Sequence, residues 1–497
     1  MRFYDVPVQV QKAVEEKNCR PYVRVSFELD GNSVFIPETD IIECEMTSYI
    51  ETTGGIVSRG TLVLDNSLQK YSPDVYPALV PGIPVHIWYC FGDNKCPFLR
   101  FAMYVNFEGF QAEATGFEEK ICTVRLVDLS YRLKKITFKN ELSGPQPAIR
   151  KAVCDTTVPE NSLVHIIAER ANLEPDDIAC TDLPFRITYH SLSGSVWDEL
   201  SELAVAYGSN MECGKDTPLE FTHSRLTGGT DDSPCYQLGA DDITHYRRFD
   251  KYEEYANSIH LKFTKYSETG RTELWHFDEP PVMPGKDNHS CYVFAGTRTI
   301  ERNDNYEARY TFMKGNRKLP VVYTEDVDDI EAFRKNLIVE QSELSVLKYD
   351  STTSRLKAFI KVKAMAAGAL VRNMSINGRA IVAEPNYTFT SRDDDEIRKR
   401  GLHPFYITNS FLSDSVLNGE TQYQEFAHMI LSEKKKLKHS YFIKTNKALV
   451  HARAGACMSI DLGSAGCGKP FGAKITELTL RYRKENPFET TLWVDAV

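Results

Sequence analysis

The chain has 497 residues, 42% hydrophobic and 26% charged, with a formal net charge of −10. That length leaves room for two to four domains, each burying its own core. No apolar run reaches the ~20 residues that cross a bilayer, the amino terminus MRFYDVPVQVQKAVEEKN lacks a signal-peptide core, and the acidity argues against a general nucleic-acid binder.

From Pro21 the pattern has period two. Val23, Val25, Phe27 and Leu29 alternate with Arg24, Ser26 and Glu28, and Asp30-Gly31-Asn32 reads as a hairpin turn. Ile42, Cys44 and Met46 alternate in the same way, and Thr61–Leu64, Val85–Cys90, Leu99–Phe107 and Cys122–Val127 continue the strands. A small antiparallel barrel or sandwich ending near Leu133 is predicted. Ser143-Gly144-Pro145-Gln146-Pro147 then marks a connection.

Two short amphipathic helices follow, within Asn161 to Gly208. Leu163, Ile166, Ile167 and Ala171 form the first stripe, behind Asn161 or Ser162 as N-cap. In the second, Ser195 and Asp198 resemble a capping box, Trp197, Leu200, Leu203, Ala204 and Tyr207 line one face, and Gly208 supplies a stop. A polar, turn-rich stretch, Thr227 to Pro234, leads to a second β-region at Ser258, where Ile259, Leu261 and Phe263 alternate. The same rhythm returns at Ala456–Leu462, Leu478–Tyr482 and Leu492–Val494. Between these two β-stretches, Ile330, Phe333, Leu337, Leu344 and Leu347 predict a helix over Val327–Lys348. Tyr423, Phe426, Ala427, Ile430 and Leu437 predict another, ending in Lys434-Lys435-Lys436 as a solvated, dipole-matched end.

The reading is thus α+β, mainly β: two antiparallel β-barrel modules separated by a small helical α/β unit, the second barrel interrupted by an insertion. The expected boundaries are 1–140 for the first barrel, 141–250 for the helical unit, 251–309 with 445–497 for the second barrel, and 310–444 for an insertion with two long helices.

Candidate chemistry is sparse. Gly463 to Pro470 matches a phosphate loop up to its last position, but Pro470 stands where a magnesium-binding hydroxyl is needed, so a glycine-rich hairpin explains it. Asp393-Asp394-Asp395-Glu396 lacks the alternation and glycine of a calcium loop and precedes Arg398-Lys399-Arg400, as on a charged surface helix. His165 sits beside an apolar stripe, where burial with a backbone partner is the default. The twelve cysteines contain no C-x-x-C pair. Cys90 with Cys96 and Cys457 with Cys467 flank turns, but free thiols are expected of a chain maturing in a reducing cytosol. Catalytic, cofactor-binding and metal-binding residues are each predicted as none.

The helical unit (Ile166 to Leu173, then Trp197-Asp198-Glu199-Leu200 leading to Leu203 to Gly208) resembles that of the central hub, or tail-tip, proteins of bacteriophage tails and contractile injection systems. Thr123 to Leu133 is similar to the exit from that family's first barrel, and Tyr423 to Leu437 with Ala448-Leu449 and the final strands to the end of its second. The resemblance implies a non-enzymatic homotrimer of the virion tail, made in the host cytoplasm. Two barrels per subunit would form a pseudo-sixfold ring joining a hexameric tail tube to a threefold tip or spike. Its implied partners are a tail tube or distal tail protein, the tip or spike protein and a tape-measure protein. DNA would pass through the channel, with no stable membrane insertion and no cofactor. An acidic chain suits a channel that repels DNA. Two other readings stand beside this one: a tail-tip peptidoglycan hydrolase or peptidase with its site in Tyr310–Lys444, and a carbohydrate-binding baseplate module. The family's insertion is usually shorter than Tyr310–Lys444, and the chain's end at Val497 leaves no room after the barrel for a separate hydrolase.

Overall fold

Asp30 and Gly31 both take positive φ, 50° and 78°, which lets the chain reverse tightly between strands β1 (Tyr22–Leu29) and β2 (Asn32–Phe35). The computed structural model describes residues 3–15, 21–71, 75–76, 79–91, 96–115, 118–138, 148–154, 162–180, 183–214, 217–221, 236–277, 293–294, 305–308, 311–314, 317–325, 331–335, 337–343, 356–364, 369–417, 419–463, 469–485 and 488–497. Helix α1 (Val8–Glu15) precedes β1, and β3 (Ile41–Ile50), β4 (Gly55–Asp65), β5 (Pro84–Phe91), β6 (Cys96–Thr115) and β7 (Glu118–Val127) complete the first β-module as predicted. A short helix, α2 (Leu129–Leu133), closes it, with the buried Asp128 as N-cap.

The helical unit comprises β8 (Ala148–Cys154), α3 (Leu163–Ala168), β9 (Leu183–Ser191), α4 (Val196–Ala206), β10 (Met211–Glu212) and β11 (Leu219–Phe221). Ser195 caps α4 by accepting from the Asp198 amide at 3.1 Å, and Gly208, at φ 66°, lets the chain leave the helix.

The chain then forms β12 (Ile243–Asp250) and β13 (Ser258–Glu268). It returns through β14 (Ala369–Arg392), α5 (Asp394–Arg400), β15 (Pro404–Thr408) and α6 (Gln422–Lys434). The last strands are β16 (His439–Thr445), β17 (Cys457–Ile460), β18 (Phe471–Arg483) and β19 (Glu489–Ala496). One ladder runs β12-β16-β19-β18-β3-β4-β7-β6-β5-β1-β2. The N-terminal and C-terminal strands are therefore a single sheet, joined where β3 pairs antiparallel with β18.

Two expectations change. Ser258–Glu268 alternates as predicted, but it pairs with β14 and β15 in a separate sheet, and the C-terminal module takes β12 as its edge strand instead. Period-two alternation identifies a half-buried strand without saying which sheet receives it. Asp250 pairs with His439, and the Lys251 amide donates to the Lys438 carbonyl at 3.1 Å, so the 188 residues from 251 to 438 leave and rejoin the ladder at one point. The predicted helix Val327–Lys348 is, in its described part, two strands, Glu331–Lys335 and Leu337–Glu343. Each pairs antiparallel with a neighbour, β14 and Leu356–Ala364 respectively. Phe333, Ile338 and Val339 favour strands, and the helical spacing of Ile330, Phe333, Leu337, Leu344 and Leu347 is coincidental. The predicted C-terminal helix is α6.

Among the described residues two large cores stand beside a small cluster of Tyr189, Ile381 and Ala383. One is shared by both ends of the ladder: Val25, Phe27, Met46 and Leu62 join Ile443, Ile475, Leu480 and Leu492. The other unites α3 and α4 (Leu163, Ile167, Trp197, Leu200) with β13 and α6 (Ile259, Leu261, Phe426) and with Phe411. The helical pair thus braces against the base of the long insertion. No helix among the described residues is long and apolar enough to cross a membrane.

Candidate functional site

Strand alternation gives the long ladder two distinct faces. One turns Met46, Leu62, Val124, Leu478, Leu480 and Leu492 into the shared core. The other is half-buried and polar, and it crosses the seam without interruption: Glu43 lies opposite Arg483, Glu45 opposite Arg481, Thr47 opposite Thr479 and Tyr49 opposite Glu477. Thr47 and Thr479 share a 3.0 Å hydrogen bond. Arg481 Nε lies 2.6 Å from Glu43 and 3.1 Å from Glu45, and Arg483 Nε 3.3 Å from Glu43. The same face continues outward through Thr491, Trp493, Phe442, Lys444, His245 and Arg247 on one side. On the other it runs through Arg59, Thr61, Arg125 and Tyr104 to His86, Trp88, Arg24 and Phe35. Acids and bases pair at the seam, and farther out the named residues of the face are mainly basic and aromatic, so the acidic net charge is not concentrated on this surface.

Behind the seam, the N-terminal segment, both β-modules and the helical unit meet in a buried polar clamp. Arg453 donates through Nη2 to Glu212 on β10 and, at 2.9 Å, to Glu220 on β11. The Tyr4 hydroxyl donates to the same Glu212 oxygen at 3.0 Å. The Arg100 and Arg453 guanidinium carbons lie 4.5 and 4.3 Å from the Tyr4 ring centre. Arg100 Nη2 donates to the Ala452 carbonyl at 2.9 Å, and the Tyr4 amide to the His451 carbonyl at 2.9 Å. Burial raises the Glu212 carboxyl and the Tyr4 phenol above their ordinary ranges, and burial beside Arg100 pushes His451 down to about 4. Tyr4, Ser48, Ser58, Arg100, Asp128 and Glu212 line a cavity of ≈ 10 Å³, room for about one water centre. The arrangement orders four chain segments around paired charges. Its charged groups are paired with one another, so the arrangement fastens these segments together.

The helical unit is fastened to the first module separately. Trp197 is fully buried, and its indole N–H donates to Glu51 at 3.0 Å, whose other oxygen meets Lys134 at 2.5 Å. On the opposite side, Gln422 Nε2 donates to the Ala206 carbonyl at 2.6 Å and Asn409 Nδ2 to the Glu202 carbonyl at 3.0 Å. Inside the unit, His190 and Glu199 pair at 2.8 Å, both buried, with the His190 ring stacked on Phe411 at 4.0 Å. Glu199 also accepts from the Ser193 and Gly194 amides.

The sequence motifs fall as follows. Asp393 caps α5 and meets Lys435 at 3.1 Å, Asp395 pairs with Arg398, and Glu396 with Lys399 and Arg400, which makes a self-neutralised surface helix. Lys434, expected to be solvated, lies 3.4 Å from Glu254 and over the Phe405 ring. His165 is buried, with its pKa lowered by that burial and partly restored by a hydrogen bond at the Pro175 backbone. Residues 464–468 of the glycine-rich stretch, with Cys467, lie outside the described residues; Cys90, Cys96 and Cys457 are free thiols. No group of three or more metal-ligating side chains occurs among the described residues. The clamp residues carry no sequence signature, because Tyr4, Arg100, Glu212 and Arg453 are brought together only by the fold.

No family model and no curated protein matches the chain. Among solved structures it is similar to the 43 kDa tail protein of prophage MuSo2 from Shewanella oneidensis, at 8% identity and TM-score 0.47 over 95% of this chain and 98% of that one. It is similar to the tail protein from Neisseria meningitidis MC58, at 8% identity and TM-score 0.48 over 95% and 96%. Prophage tail protein gp18 from Listeria monocytogenes EGD-e matches at 10% identity and TM-score 0.42 over 95% and 94%. With identities this low and every TM-score under one half, a functional argument must come from the chain's own ladder and clamp.

Proposed function

We propose that this chain is a structural hub of a phage-type tail. Three copies would form a ring with sixfold outline that joins the tail tube, or a distal tail protein, to a threefold tip or spike. The observation that carries the reading is the fusion of two antiparallel β-modules into one ladder through β3 and β18, with a polar face running unbroken across both. Three chains offer six docking edges only if each carries the module twice, and the ladder is such a double module. Its polar face is the natural lining of a channel. Paired charges of both signs along the seam would keep that part of the lining hydrated without holding DNA, since phosphate binding needs unpaired cations. On this reading the second module consists of β12 and β16–β19, residues 251–438 form an insertion, and the helical unit braces the outside. The protein would act without catalysis.

Imaging of the purified protein tests this: a threefold ring with sixfold outline and an open centre is expected. Release of soluble fragments from peptidoglycan would instead support a cell-wall hydrolase, and saturable binding to cell-surface glycans a carbohydrate-binding module.

A further inference from the structure

The ladder has two free ends, and the two ends carry matching chemistry on the same polar face. At the β2 end, the Arg24 guanidinium lies 4.0 Å over the Phe35 ring, Phe35 packs on Trp88 at 5.9 Å, and His86 meets Trp88 edge-on at 5.6 Å. At the β12 end, Arg247 lies 4.9 Å over Phe249, Phe249 packs on Trp493 at 5.2 Å, and His245 meets Phe442 edge-on at 6.2 Å. Phe35 is 43% exposed, and Arg24, His245 and Arg247 are exposed. Each edge strand has a ladder partner on one side only among the described residues: β2 pairs with β1, and β12 with β16.

We propose that these two ends dock on one another between copies of this chain, head to tail, extending the sheet from the β12 edge of one copy to the β2 edge of the next. Free edges template strand pairing unless they are covered or charged, and aromatic rings with arginine are what fully buried interface centres favour. The charges also choose a second copy. The β1–β2 hairpin presents Asp30 at its tip, whereas β12 presents His245 and Arg247; Glu28 is already held by Ser33 and His86, and Arg248 by Asp250. Neither Asp30 nor Arg247 makes an ion pair among the described residues. A second β12 end would offer Arg247 only Asp250, which Arg248 and His439 already hold, whereas the β2 end offers Asp30, so the contact joins unlike ends. Such a heterologous contact closes into a ring when its rotation permits.

This proposal rests on the ring reading, and one experiment separates their failures. Phe35→Lys removes the anchor of the β2 end and adds a cation that repels Arg247; Arg247→Gln removes the cation of the β12 end without adding an acid that could pair with the first variant. Both positions lie at an exposed edge, and unchanged thermal unfolding of the monomer checks that each variant folds. Phe35→Ser and Arg247→Ala replace any that do not. Native mass measurement is expected to show a trimer for the unaltered chain, assembly weakened about tenfold or more for each variant alone, and a one-to-one heterodimer when the two variants are mixed. That mixture has one intact contact and cannot close. Variants that assemble like the unaltered chain, or a mixture that forms no heterodimer, would overturn the head-to-tail contact while leaving the ring standing. An unaltered chain that stays monomeric at the highest attainable concentration would overturn both.

Discussion

Arg453 and Glu212, 241 residues apart in sequence, form a buried ion pair that ties the C-terminal β-module to the helical unit. Glu212 also receives the Tyr4 hydroxyl, so one carboxylate organises three distant segments. Because the pair is buried, its two halves are unequal to their sum. Removing one partner leaves a buried charge uncompensated, which costs about 3–5 kcal/mol, whereas replacing both with apolar or neutral groups of similar size can be nearly neutral.

R453A should therefore lose about 3 kcal/mol or more in urea unfolding, and R453M with E212Q distinctly less. Equal losses in the single and double variants would mean that the segments are held by packing alone and that the clamp contributes nothing specific.

How much of this was legible in the sequence follows from the same geometry. β1, β3, β4, β5 and β7 were readable because one face of each meets a core and the other meets water, which enforces alternation. β12, Ile243-Thr-His-Tyr-Arg-Arg-Phe-Asp250, escaped because an edge strand only partly covered, with Ile243, Tyr246 and Phe249 half-buried at spacings of three, keeps no period-two pattern. β13 was visible as a strand but not as a member of its sheet, since pairing partners leave no local mark. The Val327–Lys348 helix failed because a few apolar residues at helical spacing also fit β-favouring segments. The clamp was invisible for a different reason: a titratable residue's partner is fixed by the fold, and nothing at positions 4, 100, 212 or 453 announces the others.

His451 predicts an acid limb in stability. Its pKa falls from 6.5 to about 4 in the folded chain, so the unfolded chain takes up the proton first as pH drops. Stability is full above pH 6.5 and declines between 6.5 and 4, by about 3 kcal/mol once both forms are protonated. H451Q should flatten this limb in unfolding measured from pH 4 to 7; an unchanged slope would show that His451 is hydrated and titrates normally.

Asp128 acts in the opposite sense. It accepts from the Ser58 amide and from the Ser130 amide and hydroxyl, yet burial outweighs these bonds and pushes its carboxyl up to about 6. The folded chain holds this proton more tightly than the unfolded chain. The associated stability is therefore full below pH 3.8 and lost as pH rises to 6, at most about 3 kcal/mol. D128N keeps an N-cap oxygen and cannot titrate, so its stability relative to the unaltered chain should rise between pH 4 and 6. A constant difference would mean that the three hydrogen bonds hold Asp128 ionised.

Gly55 predicts a steric test of the helical brace. A Cβ there would overlap the Trp197 ring and come within 2.8 Å of Ser201 Oγ, and neighbouring Gly54 holds φ at 87° against Val205. Only glycine lets the β3–β4 hairpin seat on α4. G55A should cost about 1–3 kcal/mol through overpacking and change the Trp197 fluorescence, because the indole must leave Glu51 to make room. A G55A protein with unaltered stability and emission would mean that α4 can slide on the hairpin.

The seam tests the converse of the Arg453 argument. Arg481 bridges Glu43 and Glu45 across the modules with distances as short as those of many buried pairs, yet its side chain is 32% exposed and its partners 22% and 38%. Water screens such charges, and holding the long side chain in one rotamer costs entropy, so R481A should lose only about 0.5 kcal/mol. What holds the modules together at this point is the β3–β18 ladder and the shared core behind it, where Met46 lies opposite Leu480. M46A should accordingly cost about 2–5 kcal/mol. An R481A loss matching that of M46A would show that the seam is fastened by charge, and would then require its stability to fall steeply with added salt.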